Sequence, residues 1–305
     1  MTRAPRDLGA SVQARLRNVA KESGDDVQLV LTQFVLERLL WRLCASAYHD
    51  QFVLKGALLF FAWTSLPHRA TRDIDLLGAG SADEARLTTT FRNICGTEVE
   101  PDGTTFDPDS VVLSRIREGQ SYEGWRVILR ASVGTARIDV QVDIGFGDAV
   151  HPAPKRLRLP TLLDMPAPTI LAYPRETVVA EKFEAMVSLG LLNSRMKDFF
   201  DLHFLATSFS FNGGELAQAL RGTFARRQTT LPVEPPIALS DAFAGDANKN
   251  VQWRAFLSRT GLGDGMALEE VVTFLRGFLW PVVRTAPDRG TPECWPAGGP
   301  WQDTD

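Results

Sequence analysis

Two carboxylates separated by one apolar residue, Asp73 and Asp75, are the side chains in this sequence best spaced for chemistry. They begin a short apolar run, which is typical of a strand, and in a strand residues i and i+2 point to one face with Cα atoms about 6.5–7 Å apart. Such a pair can bridge two magnesium ions about 3.5–4 Å apart. One ion lowers the pKa of an attacking hydroxyl and the other neutralises a triphosphate. The alternative is a solvated strand end, because two aspartates at this spacing are by themselves weak evidence for a metal site.

A possible phosphate contact lies upstream, at Lys55-Gly56-Ala57. The residues that follow are apolar and predict a helix, so unpaired backbone N–H groups and the helix dipole would favour a phosphate at this point. The glycine would permit close approach of the backbone. An ordinary turn before a buried helix would have the same sequence.

A third carboxylate is expected on a neighbouring strand, within residues 138–144. Apolar residues alternate there with Asp139, Gln141 and Asp143, which therefore share the other face. Either aspartate is placed to complete a metal site or to act as the base for the attacking hydroxyl. A solvent-facing strand edge is the alternative, for Asp139 in particular.

Further charges follow on two predicted helices, the first carrying Glu181-Lys182 and the second beginning near Arg195. We interpret Lys182 as a cation for the triphosphate or the leaving pyrophosphate. On the second helix Arg195, Asp198 and Asp201 share one face.

Lys197 and Asp201 have the i, i+4 spacing of an ion pair. Together with Asp198 they would place the acceptor or brace Lys182. A salt-bridged surface would show the same pattern.

The elements that must position these residues begin with two amphipathic helices within residues 11–47, the second capped by Asp26. Three strands are predicted at 111–117, 125–132 and 136–144, as an antiparallel extension of a sheet. A proline-rich stretch at 152–168 predicts a domain boundary, and the pattern is then helical to about residue 276. Residues 285–305 lack periodicity and predict a loose tail.

Composition indicates an ordinary globular protein, with 44% hydrophobic and 23% charged residues among 305. That length suits one large domain or two closely packed ones. The net charge of −4 excludes a generic polyanion binder and confines any nucleic-acid contact to a local basic cleft. The cations available for such a cleft are Lys155, Arg156, Arg158, Arg221, Arg226 and Arg227.

We expect a cytoplasmic protein without membrane contact. The longest apolar stretch, 52–64, is interrupted by Lys55 and is shorter than the roughly 20 residues of a membrane helix. The N-terminus lacks the apolar segment of a secretory signal. Cys44, Cys95 and Cys294 are too widely spaced to indicate a zinc site or a disulfide framework.

Taken together, these stretches resemble the AbiEii toxin family of bacterial nucleotidyltransferases, over most of the chain. The family pattern has a Lys-Gly-small opening, Arg-x-Ser/Thr-x-Asp-x-Asp, a later strand carboxylate, Glu-Lys-x-x-Ala and Arg-x-Lys-Asp-x-x-Asp. The matching residues here are Lys55-Gly56-Ala57, Arg69 through Asp75 with Thr71, Asp143, Glu181-Lys182 with Ala185, and Arg195 through Asp201. One departure is Ala57-Leu58 where the family has Gly-Thr, so a hydroxyl contact to the triphosphate is missing.

The resemblance implies an α+β fold: a polymerase-β-like core with a mixed sheet, an N-terminal helical cap and a mainly helical C-terminal half. The corresponding division is 1–50 for the helical segment, 51–165 for the core, 166–284 for the helical domain and 285–305 for the tail.

It also implies roles for individual residues. The expected metal ligands are Asp73, Asp75 and Asp143, and Lys182 and Asp198 are further catalytic residues. The expected nucleotide-binding residues are Lys55, Gly56, Arg69, Thr71, Lys182 and Lys197.

The implied activity uses Mg²⁺ or Mn²⁺ to transfer nucleotides from a nucleoside triphosphate to the 3′ end of an RNA, tRNA in particular, which blocks translation. A cognate antitoxin is the implied protein partner. One alternative is transfer of a phosphoryl or nucleotidyl group to a protein side chain. Another is a non-catalytic nucleotide-binding module, which the intact Asp73/Asp75 pair and Lys182 disfavour.

Overall fold

The computed structural model describes residues 7–64, 71–118, 122–262, 265–284 and 293–303. The chain divides into two compact units. Unit 1 comprises residues 1–147 and 155–173, and unit 2 comprises residues 148–154 and 174–305. The N-terminal helices and residues 166–173 belong to the unit that contains the sheet, whereas the expected division placed them outside the core. Residues 148–154, which were expected in the core, belong to the other unit.

Unit 1 contains four helices and seven strands within its described residues. In chain order they are α1 (Leu8–Ser23), α2 (Val27–Ala45), β1 (Phe52–Lys55), α3 (Leu58–Thr64), β2 (Asp73–Gly78), α4 (Glu84–Cys95), β3 (Thr104–Glu118), β4 (Tyr122–Val133), β5 (Ala136–Phe146), β6 (Lys155–Arg158) and β7 (Thr169–Ala172). The predicted cap of α2 is confirmed, since Asp26 accepts a hydrogen bond from the Leu29 amide at 2.9 Å.

The strands form one mixed sheet in the order β3-β4-β5-β2-β1-β7-β6. Strands β3, β4 and β5 form the predicted antiparallel extension, and β5 runs parallel to β2. One face of β5 is fully apolar, with Val140 and Val142 buried, and α2 packs against this strand. By alternation, the polar residues of β5 lie on the opposite face.

Two parts of the sheet were not expected from the sequence. Strand β1 ends at Lys55, and β6, within the proline-rich stretch, pairs as an antiparallel hairpin with β7, which begins just after that stretch. Each of these strands has four residues. A strand this short shows too few alternations for its period to be recognised, and its pairing depends on partners distant in the chain.

Unit 2 is mainly helical, as expected. Its described elements are α5 (Arg175–Leu189), α6 (Met196–Ser208), β8 (Phe211–Asn212), α7 (Gly213–Arg226), α8 (Asp241–Ala244), α9 (Ala247–Thr260), α10 (Leu268–Val283) and β9 (Cys294–Trp295), with short 3₁₀ helices at Gly190–Leu192 and Ile237–Leu239. No helix among the residues described for either unit has the length and apolar composition needed to cross a membrane.

Residues 293–303 pack against unit 2, where a loose tail was expected. Strand β9 pairs with β8, and Trp295 is 3% exposed with its indole N–H donating to the Ala206 carbonyl at 2.7 Å. Trp301 stacks on Phe278 and donates to the Phe278 carbonyl at 2.8 Å. Large aromatic side chains gain enough from burial to dock a segment that has no periodicity.

Candidate active site

Strand β2 presents Asp73 and Asp75 on one face, as its spacing predicts. Burial alternates along the strand: Ile74 and Leu76 are each 1% exposed, whereas the two aspartates are half-buried. The apolar side chains hold the strand in the core, so the opposite face is left for the carboxylates.

Strand register aligns four charged side chains across β1, β2, β5 and β4. Lys55 pairs with Asp75, Asp75 with Asp143, and Asp143 with Arg126. Directly paired residues on neighbouring strands point to the same face, so these four side chains form one row, which we call the charged row. The two adjacent carboxylates repel each other, and a cation at each end of the row compensates.

Asp143 is held by Arg126. The Arg126 Nε donates to Oδ1 and its Nη2 to Oδ2, both at 2.8 Å, and Gln141 donates to Oδ2 at 3.2 Å. Hydrogen bonding to Asp143 is the largest cause that raises the pKa of Arg126. Burial opposes it, and the charges of Asp143, Asp73 and Asp75 raise the pKa further. Both oxygens of the predicted third metal ligand are therefore already bound.

Sequence reasoning misses Arg126, although a signal for it is present. Strands β4 and β5 are joined by a two-residue turn at Gly134-Thr135. Counting outward equally on both sides of such a turn pairs Arg126 with Asp143. The same counting pairs Arg130 with Asp139, whose charged atoms lie 3.9 Å apart.

Asp139 faces solvent, as in the alternative to a role in the metal site. Its side chain is 77% exposed. The parallel pairing of β2 with β5 starts where Asp73 meets Gln141, so Asp139 lies beyond the end of β2. Asp143, and not Asp139, is therefore the aspartate of β5 that lies beside Asp75 in the charged row.

Gly56 lies against Asp75 at the end of β1. Its φ is +75°, a conformation that side chains disfavour, and a Cβ here would lie 1.9 Å from the Asp75 Oδ2. The absence of a Cβ at Gly56 therefore leaves room for the Asp75 carboxylate. The sequence did not predict this contact. The Lys55 ammonium lies 5.6 Å from the centre of the Tyr173 ring. The phosphate contacts of Lys55 and Gly56 stay predictions.

Thr71 orients the other aspartate. Its hydroxyl donates to the Asp73 Oδ1 at 2.7 Å, and the residue is 8% exposed. The predicted contact of Thr71 with phosphate stays a prediction beside this observed bond. Arg69 lies outside the described residues.

A second group of charges lies within unit 2, between α5 and α6. The Lys182 ammonium donates to Asp198 at 2.8 Å and to Asp201 at 2.7 Å, and Arg195 contacts the other oxygen of Asp198 at 2.9 Å. The two aspartates are fully buried, whereas the Lys182 side chain is 14% exposed. We call these four residues the ion cluster. These contacts show Asp198 and Asp201 bracing Lys182, which was one of the two expected roles; the other was placing the acceptor.

The spacing of Lys197 and Asp201 does not lead to the ion pair that it suggested. Asp201 faces the protein interior and accepts from Lys182, whereas Lys197 is exposed on α6. Although the two residues are one turn apart, the Lys197 side chain extends into solvent, whereas the Asp201 carboxylate is buried and turned toward Lys182 on α5. The role of Lys197 in nucleotide binding stays a prediction.

Two of the cations proposed for a basic cleft are already paired. Arg227 contacts the buried Glu184 at 2.7 Å and Glu181 at 3.5 Å, and so connects α7 with α5. Arg156 on β6 contacts Asp50 at 2.5 Å. These two arginines contribute less positive field than their formal charges suggest.

The residues of β2 fit a divalent metal ion. Asp73 and Asp75 offer the hard oxygen donors that magnesium prefers, on a half-exposed face. No group of three or more His, Cys, Asp or Glu among the described residues is arranged to hold a metal. A metal here would therefore be held by the two aspartates, with water and phosphate oxygens completing its coordination, as is usual for magnesium.

Comparison with known proteins identifies the family. The family described as "Nucleotidyl transferase AbiEii toxin, Type IV TA system" matches residues 38–274. The chain belongs to the AbiEii family. It is thus a nucleotidyltransferase and a toxin of a toxin–antitoxin system, as the motifs predicted. This membership implies a nucleoside triphosphate substrate and an antitoxin partner. No curated protein matches the chain.

A solved structure shares the fold of this chain. JHP933 from Helicobacter pylori matches with a TM-score of 0.50 and 17% identity, over 85% of this chain and 93% of that one. A candidate nucleotidyltransferase from Helicobacter pylori matches with a TM-score of 0.49 and 16% identity, over 85% and 96% of the two chains. The expected fold class, a nucleotidyltransferase core with a mixed sheet, is confirmed. The AbiEii match includes every predicted site residue from Lys55 to Asp201.

Proposed function

We propose that this AbiEii protein transfers nucleotides, with the help of a divalent metal ion, from a nucleoside triphosphate to the 3′ end of an RNA, and that this RNA is tRNA. The observation that carries the proposal is the position of Asp73 and Asp75 on one half-exposed face of β2, beside Asp143 on β5. Binding a nucleotide would not require adjacent carboxylates, because they repel a triphosphate unless a metal ion lies between.

In the transfer, an acceptor hydroxyl oxygen forms a bond to the α-phosphorus of the triphosphate. The bond from that phosphorus to its bridging oxygen breaks, pyrophosphate leaves, and the proton of the hydroxyl is released to solvent. The metal, Mg²⁺ or Mn²⁺, neutralises phosphate charge and lowers the pKa of the hydroxyl when bound.

The residues of unit 1 have distinct parts in this proposal. Asp73 and Asp75 hold the metal, the Thr71 hydroxyl orients Asp73, and Gly56 leaves room for Asp75. Lys55, next to Asp75 in the charged row, is the cation that would face phosphate. Asp143 would join the metal ligands only after release from Arg126.

Lys182, Asp198 and Lys197 are proposed from the family pattern as further active-site residues. In the ion cluster the charges of two cations and two carboxylates cancel formally. The ammonium of Lys182 would therefore act on a phosphate as a hydrogen-bond donor more than as a source of net positive charge.

The test is a transfer assay. Purified protein is incubated with total RNA and each radiolabelled ribonucleoside triphosphate in turn, with magnesium or with excess chelator. We expect label in the tRNA fraction, with magnesium only. Label in protein, identified by mass spectrometry, would support the side-chain acceptor instead. Nucleotide binding without turnover would support a non-catalytic module, and full transfer in chelator would exclude the metal.

A second experiment tests the consequence for the cell. Expression without the antitoxin should slow bacterial growth by depleting translatable tRNA, and co-expression of the gene's neighbour should restore it. Healthy growth at high levels of active protein would contradict this.

A further inference from the structure

Arg126 belongs to none of the sequence motifs, and the proposed reaction gives it no role. In both respects it differs from the other three residues of the charged row. It lies opposite Asp143 on β4 and binds it through a planar fork of two charge-assisted hydrogen bonds, each 2.8 Å long. Such forks are roughly twice as strong as neutral hydrogen bonds, and they occupy both carboxylate oxygens. The Arg126 side chain is 41% exposed, so its guanidinium borders solvent into which it can move.

Asp143 is otherwise well placed for a metal. It lies directly beside Asp75 on the parallel strand β5, with backbones about 4.8 Å apart. A metal ion on Asp75 would therefore lie within reach of Asp143. Arg126 and Gln141 together take three of the roughly four lone pairs of the Asp143 carboxylate. Because the guanidinium and a metal ion are also both positive and repel each other, the two compete for Asp143.

We infer that Arg126 competes with the metal ion for Asp143, and so sets the affinity of the site for metal. The inference rests on the proposed function, in which Asp73 and Asp75 are the metal ligands. The resting protein then binds metal through these two aspartates, while Arg126 withholds the third carboxylate. The charges of Asp73 and Asp75, which raise the pKa of Arg126, also help to keep the guanidinium in the row.

The chain offers a matched control for Arg126. Arg130 lies on the same face of β4, four residues along the strand, and likewise pairs in register with an aspartate of β5, Asp139. Their charged atoms are 3.9 Å apart and both side chains are exposed. No residue of β2 pairs with this part of β5. Arg130→Gln therefore removes the same charge from the same strand without releasing a carboxylate beside Asp75.

The experiment is titration of the full-length protein with MnCl₂, without nucleotide, by isothermal titration calorimetry. Arg126→Gln should bind Mn²⁺ more tightly than the parent by on the order of tenfold, because a carboxylate is released and a cation removed. Arg130→Gln should stay within about twofold of the parent. The double variant Arg126→Gln/Asp143→Asn should lose the gain, since no third carboxylate is left.

Arg126→Lys is the second variant. It keeps the charge but cannot form the fork, and it should show a smaller gain than Arg126→Gln. Thermal melting monitors folding of each protein. Equal Mn²⁺ affinity of the parent, Arg126→Gln and Arg130→Gln would overturn the inference, as would a gain that persists in the double variant.

Asp75→Asn separates the two ideas. It should abolish Mn²⁺ binding in the parent and in Arg126→Gln alike. If Asp75→Asn abolishes Mn²⁺ binding but Arg126→Gln leaves the Mn²⁺ affinity unchanged, the metal site is right and only the inferred competition by Arg126 is wrong. If Asp75→Asn binds Mn²⁺ like the parent, the metal site itself is wrong and the inference falls with the proposed function.

Discussion

The charged row of unit 1 and the ion cluster of unit 2 each contain two aspartates and two cations, but their surroundings differ. In the row, Asp75 and Asp143 are half-buried, and Arg126 is 41% exposed. In the cluster, Asp198 and Asp201 are fully buried. A buried carboxylate depends on its partner for stability, whereas a half-exposed one is also stabilised by water and can exchange a partner for a ligand. The same residue types are therefore suited to exchange in the row and to structural support in the cluster.

The largest expected effect is on catalysis by the two aspartates of β2, one of which belongs to the row. Asp73→Asn and Asp75→Asn keep the size of the side chain but remove charge that a metal needs, so nucleotide transfer should fall roughly a thousandfold or more. Thermal melting should change little, because these side chains contribute little packing. Transfer per folded molecule is the measurement. Near-parental transfer by both variants, with unchanged melting, would mean that the pair is only a solvated strand end.

Loss of Lys182 should lower the stability of unit 2. Lys182→Ala leaves two fully buried carboxylates without their shared cation. Breaking a buried pair costs about 3–5 kcal/mol, and we expect about 3 kcal/mol because Lys182 retains some exposure. The melting temperature should fall by about 6–12 °C.

The control for Lys182 is Lys197→Ala, which removes an exposed lysine from the same region and should change the free energy of unfolding by less than about 0.5 kcal/mol. If Lys182→Ala melts like Lys197→Ala, the cluster is not a structural support. Transfer per folded molecule, measured on the same samples, tests the separate prediction that Lys182 is catalytic.

Gly56→Ala should have a smaller effect on the row. The positive φ costs about 1–2 kcal/mol for any side chain, and the new Cβ would also displace Asp75. The matched control is Gly24→Ala, since Gly24 has φ +77° with no atom within 4 Å of a Cβ. Gly56→Ala should lose at least as much stability as Gly24→Ala, and only Gly56→Ala should lose Mn²⁺ affinity. Parental affinity of Gly56→Ala would show that Asp75 tolerates displacement.

Thr71→Val should have the smallest effect. It removes the hydroxyl that donates to Asp73, a bond of about 1 kcal/mol, so Mn²⁺ binding should weaken about fivefold. Asp139→Asn, on the exposed end of β5, serves as the reference and should bind Mn²⁺ like the parent. A strong loss of transfer in Thr71→Val with unchanged Mn²⁺ affinity would instead favour the predicted phosphate contact.

Local patterns in the sequence determined much of this molecule. Alternation placed Asp73 with Asp75 and Asp143 with Gln141, and spacing by three placed Asp198 with Asp201 on one face. The three strands of the antiparallel extension, the capped N-terminal helix and the helical second half also followed from periodicity. These features are readable because they depend only on the geometry of a continuous segment, with a period of 2 for strands and 3.6 for helices. The motifs in their order identified the family.

Only the tertiary structure decided which charges meet. The contact of Gly56 with Asp75 depends on packing between segments far apart in the chain. So does the ion pair of Asp201, which forms with Lys182 on α5 and not with Lys197 on its own helix. The same is true of the hairpin β6–β7 and of the docking of residues 293–303. Spacing along one segment lists the possible partners of a charged residue. Burial then selects among them, because a carboxylate inside the protein must have its cation there and an exposed one need not.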